Sequence, residues 1–572
     1  MKTALRTTLK NPSTSNALWI EIFPIALIGV LAALVLFIHL GDFSLFNPDE
    51  GLYAEPAREM LDTGQYITTT LNYVVRFTKP PLVIWVMALC YKIFGVNEFG
   101  ARIFCASSAF LLTIITYLFA NKYLGRRVAI FSAFLLLTSP LFIGVGRMAI
   151  VDMPLSLFIA GSLFSFFHAW KQKQLSWLIL GYVLVALAIM TKGPVGLLLP
   201  AIILSTFFIM LGQAKAALSF FRLPLGILIV AIIALPWFVI EIAQTQGAYF
   251  QEFIMRENFA RFTTVVDAHK GPWWYHLAAV FGGLFPWSIL LPQSIVTILK
   301  DISKPTSINP TNSNTARTQS SSQFALPEWL KSCQNLTDCA EVLLFAFIWS
   351  AVIIVFFSVS VSKLLPYTLP AFPALVIIIA NQWQEFINSK QSKSILIYTL
   401  ILGLFYIAAV FLCPVGLKYL RNAPSNLIAL IIRYSILMSI ALLLAFLMAM
   451  RKYLALSTIV LFGASIAAAI VFTPKFLSVI SKYWEGDIPH YARFAGHAHQ
   501  PLIVYKLRKP AIPFYFGNRV IQLTEKNDIA HAVKNLGQSY LITKNQYLHD
   551  LDSTGYKTID KQNNFALVLL SK

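Results

Sequence analysis

The chain has 572 residues, 57% of them hydrophobic and only 12% charged, with a mean hydropathy of +0.69 and a formal net charge of +20. That apolar excess is more than a soluble core of this length can bury, so the composition excludes a soluble globular protein and points to a multi-spanning membrane protein. The basic residues stand mostly singly between apolar runs, which argues against nucleic acid as a partner and for topology signals or anionic lipid.

The first apolar run, from about Ile20 to Leu40, is long enough to cross a bilayer core of ~30 Å. It is too long for a signal-peptide core and lacks an A-x-A-like cleavage site. It leads into Asn47-Pro-Asp-Glu-Gly-Leu-Tyr-Ala-Glu-Pro-Ala-Arg58, which places Asp49 and Glu50 at the water surface. One reading is a helix start, with Asn47 as N-cap, Pro48 at the first helical position and Glu50 completing a capping box. The other is chemical and depends on the rest of the chain.

Apolar runs near 19–40, 98–121, 128–146, 152–170, 176–191, 194–212, 223–244, 274–299, 341–362, 366–385, 394–414, 426–449 and 454–473 make thirteen candidate spans. The segment 80–94 is apolar but short, and reads as interfacial or re-entrant. With Lys2, Arg6 and Lys10 cytoplasmic, the inner loops carry Lys122-Arg126-Arg127, Lys171-Lys173, Lys215-Arg222, Lys390-Lys393 and Arg451-Lys452, as the positive-inside rule requires. Lys418 and Arg421 fall outside. The polar segment 300–338 reads as a flexible cytoplasmic loop. Five scattered cysteines suggest neither a zinc site nor a disulfide framework.

After about Pro474 short β-rich runs alternate with helical stretches. The expected organisation is therefore mainly α: a membrane domain over 1–474 with outer loops 41–97 and 245–272, then a small α/β domain over 475–572. An odd number of spans puts that domain outside, opposite a cytoplasmic N-terminus.

On this topology Asp49, Lys79, Asp152, Lys192, Arg261 and Lys363 share the outer side. Ionisable residues at the ends of apolar spans are costly unless paired or lining a wet cavity. Each has a bland alternative. Asp152 and Lys192 suit helix dipoles, while Lys79 and Lys363 could snorkel to headgroups. Together they suit transfer from a phosphate leaving group: cations neutralise the departing phosphate and a carboxylate takes the proton of an attacking hydroxyl. Trp273 and Trp274 suit the interface belt. Asp49, Glu50 and Asp152 could share a divalent cation, although a phosphate surrounded by lysines needs one less and no cofactor is required.

Asp49-Glu50 with Tyr53-Ala54-Glu55 and Arg58-Glu59-Met60, then Lys79-Pro80-Pro81, Asp152-Met-Pro154 and Lys192-Gly193, resembles the GT-C glycosyltransferases of the aminoarabinose–lipid A transferase and protein O-mannosyltransferase group. Arg261-Phe262 and Ser362-Lys363-Leu-Leu-Pro366-Tyr367 are similar to further blocks of the aminoarabinose branch. The resemblance covers roughly 20–474. It implies an inverting transferase that moves a sugar from a polyprenyl phosphate to a lipid, glycan or protein acceptor at the outer face of the cytoplasmic membrane. It also implies Asp49 as general base and Asp152 as a second active-site acid. Lys79, Lys192 and Arg261 would contact the donor phosphate and Tyr367 the donor, with Glu50, Arg58 and Lys363 as further substrate contacts. The competing class is a multi-spanning transporter or flippase of a lipid-linked saccharide. Such proteins usually hold charges near the midplane and show internal repeats, and neither is evident here.

Overall fold

The computed structural model describes residues 14–77, 79–260, 271–303, 336–419, 424–551, 555–562 and 564–571. Arg261, His269 and most of the polar segment 300–338 lie outside these residues. The chain begins with α1 (Thr14–Phe37), α2 (Gly51–Thr63), α3 (Leu82–Phe94), α4 (Glu98–Leu124), α5 (Arg126–Leu137), α6 (Pro140–Gly146), α7 (Asp152–Gln172) and α8 (Leu175–Lys192). Among the described residues nine helices are long and apolar enough to cross a membrane, or eleven if each of two bent pairs is one span. The shorter apolar helices Ile22–Phe37 and Val195–Met210 stand where the sequence has its first and sixth runs, so all thirteen expected runs are helical.

The third and eighth runs are not straight, contrary to the sequence expectation. α5 and α6 meet at 65°, and Tyr275–Gly283 meets Trp287–Lys300 at 114°. The first break falls at Ser139-Pro140, where Ser139 is extended (φ −82, ψ 119) because a following proline disfavours the helical region. The helix Leu223–Gln244 turns an apolar side outward, leaving Ile227 70% and Ile232 64% exposed. A helix satisfies its own backbone groups, so such a surface is stable against acyl chains.

α2 and α3 lie together at one end of the bundle. Helix formation does not begin at Pro48 as the capping reading expects. Residues 47–50 form a turn, α2 starts at Gly51, and no side chain caps it. The Asn47 side chain is used elsewhere. α3 spans 13 residues, roughly 20 Å at 1.5 Å per residue, short of the bilayer core. Its Tyr91 hydroxyl donates to Ala54 O of α2 at 3.2 Å, and Glu98 just beyond it pairs with Arg493 at 2.5 Å. The C-terminal end of α3 is thus tied both to α2 and to the C-terminal region of the chain.

The last span, Leu454–Glu485, runs on past Pro474 and delivers the chain to the same end. There β3 (Leu502–Tyr505), β4 (Ile521–Leu523), β5 (Ser539–Lys544), β6 (Tyr556–Gln562) and β7 (Phe565–Leu570) form one sheet in the order β4-β3-β5-β7-β6. A hairpin of β1 (Thr70–Leu71) and β2 (Val74–Val75) lies earlier, between α2 and α3. β3 is parallel to β4 and β5, while β7 is antiparallel to β5 and β6. Side chains alternate across a strand, and β3 buries both sets. Ile503 and Tyr505 pack with Ile529 and Val533. Leu502 and Val504 pack with Ala54, Met60, Val83 and Met87 of α2 and α3. The sheet therefore shares a core with the α2–α3 layer.

Candidate active site

The site begins with a buried ion pair. Glu50 and Arg102 are each 0% exposed. Arg102 Nε donates to Glu50 Oε1 at 2.8 Å and Nη2 to Oε2 at 2.7 Å. Its other N–H groups serve the carbonyls of Leu40, Phe43 and Ser44 at 2.7–3.0 Å, where α1 ends. Glu50 also accepts from Phe46 N at 2.8 Å and Ala149 N at 2.7 Å. Arginine has five donors and a carboxylate about four acceptor sites, so both groups are saturated. Arg147, also fully buried, ties the same region to Val35 O and Ile38 O at the end of α1.

This pair fixes two acidic residues relative to each other. Asp49 precedes Glu50, and Asp152 opens α7 three residues after the Ala149 amide that Glu50 holds. Lys192 ends α8 and reaches Asp152 Oδ1 at 2.5 Å. The dipole roles open to Asp152 and Lys192 are met by their positions, and the two side chains also meet each other. Lys192 Nζ lies 4.4 Å from the centre of the Tyr367 ring, a cation–π contact. Tyr367 is in turn packed by Phe357 and stacked near His276.

Tyr53, one helical turn beyond Asp49, lies within electrostatic reach of both carboxylates. Burial pushes its phenol above the ordinary range, the Asp152 charge raises it further, Arg76 opposes, and Asp49 and Tyr367 add to the rise. The hydroxyl therefore stays protonated in the field of these two carboxylates. Asp49 itself is exposed. Arg76 donates to Leu52 O at 2.7 Å, which holds its guanidinium beside this group. Lys79 pairs with Glu257 at 3.1 Å, both side chains nearly buried, which ties it to the segment Phe250–Ala260.

The structure thus gathers Asp49, Asp152, Lys192 and Tyr367 around Tyr53 and Arg76. It places other expected contacts elsewhere. Glu50 lies inside the wall with no acceptor site left for substrate or cation. Arg58 turns away, binding Glu55 at 2.7 and 2.8 Å and Gly517 O at 3.2 Å, so it joins α2 to the C-terminal sheet region. Lys363 is buried and donates to Phe357 O and Ser358 O at 3.2 and 2.6 Å, closing the end of the helix Asp338–Val359. Arg261 lies outside the described residues. No three His, Cys, Asp or Glu side chains group to hold a metal among the described residues. With Glu50 consumed by Arg102, a divalent cation shared by Asp49, Glu50 and Asp152, the possibility open from the sequence, does not fit.

Sequence reasoning missed Arg76 and Arg102. Arg76 sits three residues before Lys79 on the same stretch between α2 and α3, so its position was a usable signal. Arg102 lies inside the apolar run 98–121, where a charge is costly without a partner. That rule would have singled it out.

The family model for dolichyl-phosphate-mannose-protein mannosyltransferase matches residues 78–240. An undecaprenyl phosphate-α-4-amino-4-deoxy-L-arabinose arabinosyl transferase of Erwinia tasmaniensis is 29% identical over 403 residues, covering 69% of this chain and 66% of that protein. An uncharacterised protein of Aquifex aeolicus is 29% identical over 376 residues, covering 65% of each chain. The matches thus span slightly less than two thirds of these relatives' length. The crystal structure of ArnT from Cupriavidus metallidurans bound to undecaprenyl phosphate superposes with a TM-score of 0.75 at 21% identity, covering 95% of this chain and 97% of that one. The resemblance drawn from the motifs holds: this is a polytopic membrane protein with the GT-C fold, akin to the aminoarabinose-transferase and mannosyltransferase-like group.

Proposed function

We propose that the protein is an inverting glycosyltransferase that takes a sugar from a polyprenyl phosphate and gives it to a lipid acceptor at the outer face of the cytoplasmic membrane. The observation that carries this reading is the convergence of Asp49, Asp152, Lys192, Arg76 and Tyr53 at one end of an apolar bundle. The names of the relatives support the donor class.

In this reaction Asp49 takes the acceptor hydroxyl proton as the acceptor oxygen bonds to the anomeric carbon. The anomeric C–O bond to phosphate breaks, and its electron pair leaves on the phosphate oxygen. Lys192, Lys79, Arg76 and Arg261 neutralise the charge that develops there. Asp152 holds the Lys192 ammonium in place, Glu257 does the same for Lys79, and Tyr53 orients the acidic pair. The Tyr367 ring shields Lys192 on its other side.

Purified protein should release undecaprenyl phosphate from an undecaprenyl-phosphate sugar when a lipid acceptor is present. A panel of donors carrying 4-amino-4-deoxy-L-arabinose or mannose, with lipid A or a total lipid extract, tests this. No release from any pairing by folded protein would reject the assignment.

Two further outcomes are expected. Lys79→Ala and Lys192→Ala should each weaken undecaprenyl phosphate binding about tenfold or more, the range for losing a charge-assisted hydrogen bond. Arginine at either site should not restore it, because a planar fork replaces a compact ammonium. Unchanged affinity in both alanine variants would remove the lysines from the phosphate site. The second outcome concerns sidedness. Reporters fused after Lys173, Lys192, Lys393 and Lys572 should read inside, outside, inside and outside. A cytoplasmic signal at Lys192 would rule out a site open to the exterior.

A further inference from the structure

Asp49 has a fastened residue on each side. Glu50 is held by Arg102 within the membrane bundle. Asn47 is held by the far end of the chain. Its backbone N–H donates to Glu485 Oε1 at 2.9 Å and its side-chain Nδ2 to Glu485 Oε2 at 2.7 Å, while its Oδ1 accepts from Ala511 N at 2.8 Å. Glu485, the last residue of the helix Leu454–Glu485, is 1% exposed and also accepts from Lys509 Nζ at 2.9 Å. Around this centre the fit is close. Leu45 N donates to the Tyr515 hydroxyl at 2.7 Å, and Ser481 Oγ to Ser44 O at 3.0 Å. A Cβ on Gly51 would fall 2.5 Å from Ala511 N, so the loop lies flush against the 510–511 backbone.

We propose that Asn47 and Glu485 form a clasp through which the C-terminal sheet region positions Asp49 and so sets the rate of transfer. The proposal rests on the reading of Asp49 as general base. A base must come within about 3 Å of the hydroxyl it serves, and a displacement of ~1 Å can lower a rate on the order of 100-fold. Asp49 makes part of a four-residue turn between Asn47 and Glu50, so its backbone placement follows that of its fastened neighbours. The Glu50 end is fixed inside the membrane bundle. The Asn47 end is held by Glu485 at the end of the last span and by the Ala511 backbone, so its set of contacts is complete only when the region beyond that helix is seated. The match is also chemically directed. Glu485 offers two acceptors to the two nitrogens of Asn47, and Lys509 balances its charge. Asn47 and Glu485 act through Asp49 and are positioning residues.

The test uses full-length protein and four changes: Asn47→Asp, Glu485→Gln, the two combined, and Asp49→Asn. Turnover is read as undecaprenyl phosphate released from the donor panel above, and binding is measured with undecaprenyl phosphate. Asn47→Asp sets two carboxylates against each other and should lower kcat about 10- to 100-fold, with donor KM and undecaprenyl phosphate affinity unchanged. Glu485→Gln turns an N–H toward donors and should lower kcat in the same way. The double variant exchanges carboxylate and amide and restores complementarity between positions 47 and 485, with Lys509 keeping its bond to Trp484 O and a carboxylate nearby. It should recover kcat to within about threefold of the parent. Full turnover in Asn47→Asp, while Asp49→Asn is inactive, would overturn the clasp alone. So would a double variant that regains thermal stability but not kcat. If Asp49→Asn itself keeps near-normal turnover, the reading of Asp49 as base falls and the clasp falls with it.

Discussion

Asp49→Asn is expected to express normally, bind undecaprenyl phosphate as the parent does, and lose at least ~100-fold in sugar transfer, the scale of removing a general base. The substitution preserves shape. It does not disturb a helix cap, because α2 starts two residues later and has no side-chain cap. Neither Glu50–Arg102 nor the Asn47 contacts involve the Asp49 carboxylate. The loss should therefore appear in kcat with the donor affinity kept. Turnover close to the parent's would leave Asp49 as a surface carboxylate and transfer the base role to Asp152.

The second large effect is on stability. Arg102→Ala strands a fully buried Glu50 carboxylate with two backbone amides, and leaves the Leu40, Phe43 and Ser44 carbonyls without their donor. Removing one partner of a buried pair costs about 3–5 kcal/mol. Thermal unfolding in detergent should show a marked fall. Arg102→Met combined with Glu50→Gln should recover part of it, since no charge is then left buried. If Arg102→Ala unfolds at the parent temperature, the pair is not the tie between α1, the Asp49 turn and the start of α7.

The bundle was legible because periodicity and length alone mark a span: each of the thirteen apolar runs is helical. The C-terminal sheet was legible for a related reason, since short β-rich runs such as Leu502–Tyr505 stand out against long helical ones. The breaks at Ser139-Pro140 and before Trp287 were not, because composition continues smoothly through them. Within the site, Asp152, Lys192 and Tyr367 could be grouped from topology, which brings span ends together. Glu50 could not be told from Asp49. The two are adjacent and chemically alike, and only the direction of each side chain sends one into the wall and leaves the other exposed. Arg58 and Lys363 were misplaced for a similar reason. Their partners, Glu55 and Gly517 O for one and helix-end carbonyls for the other, depend on local turns that charge counting does not see.

The clasp joins residues 438 positions apart in the chain. A ribosome adding about 5–20 residues per second needs roughly 20–90 seconds to cover that interval. Throughout that time the first spans are already made, yet the turn carrying Asp49 lacks the contacts that Glu485 and Ala511 supply. Biosynthesis thus finishes the reactive loop last. A chain that stops early, or whose C-terminal sheet fails to fold, is left with its bundle assembled and its acidic turn unset.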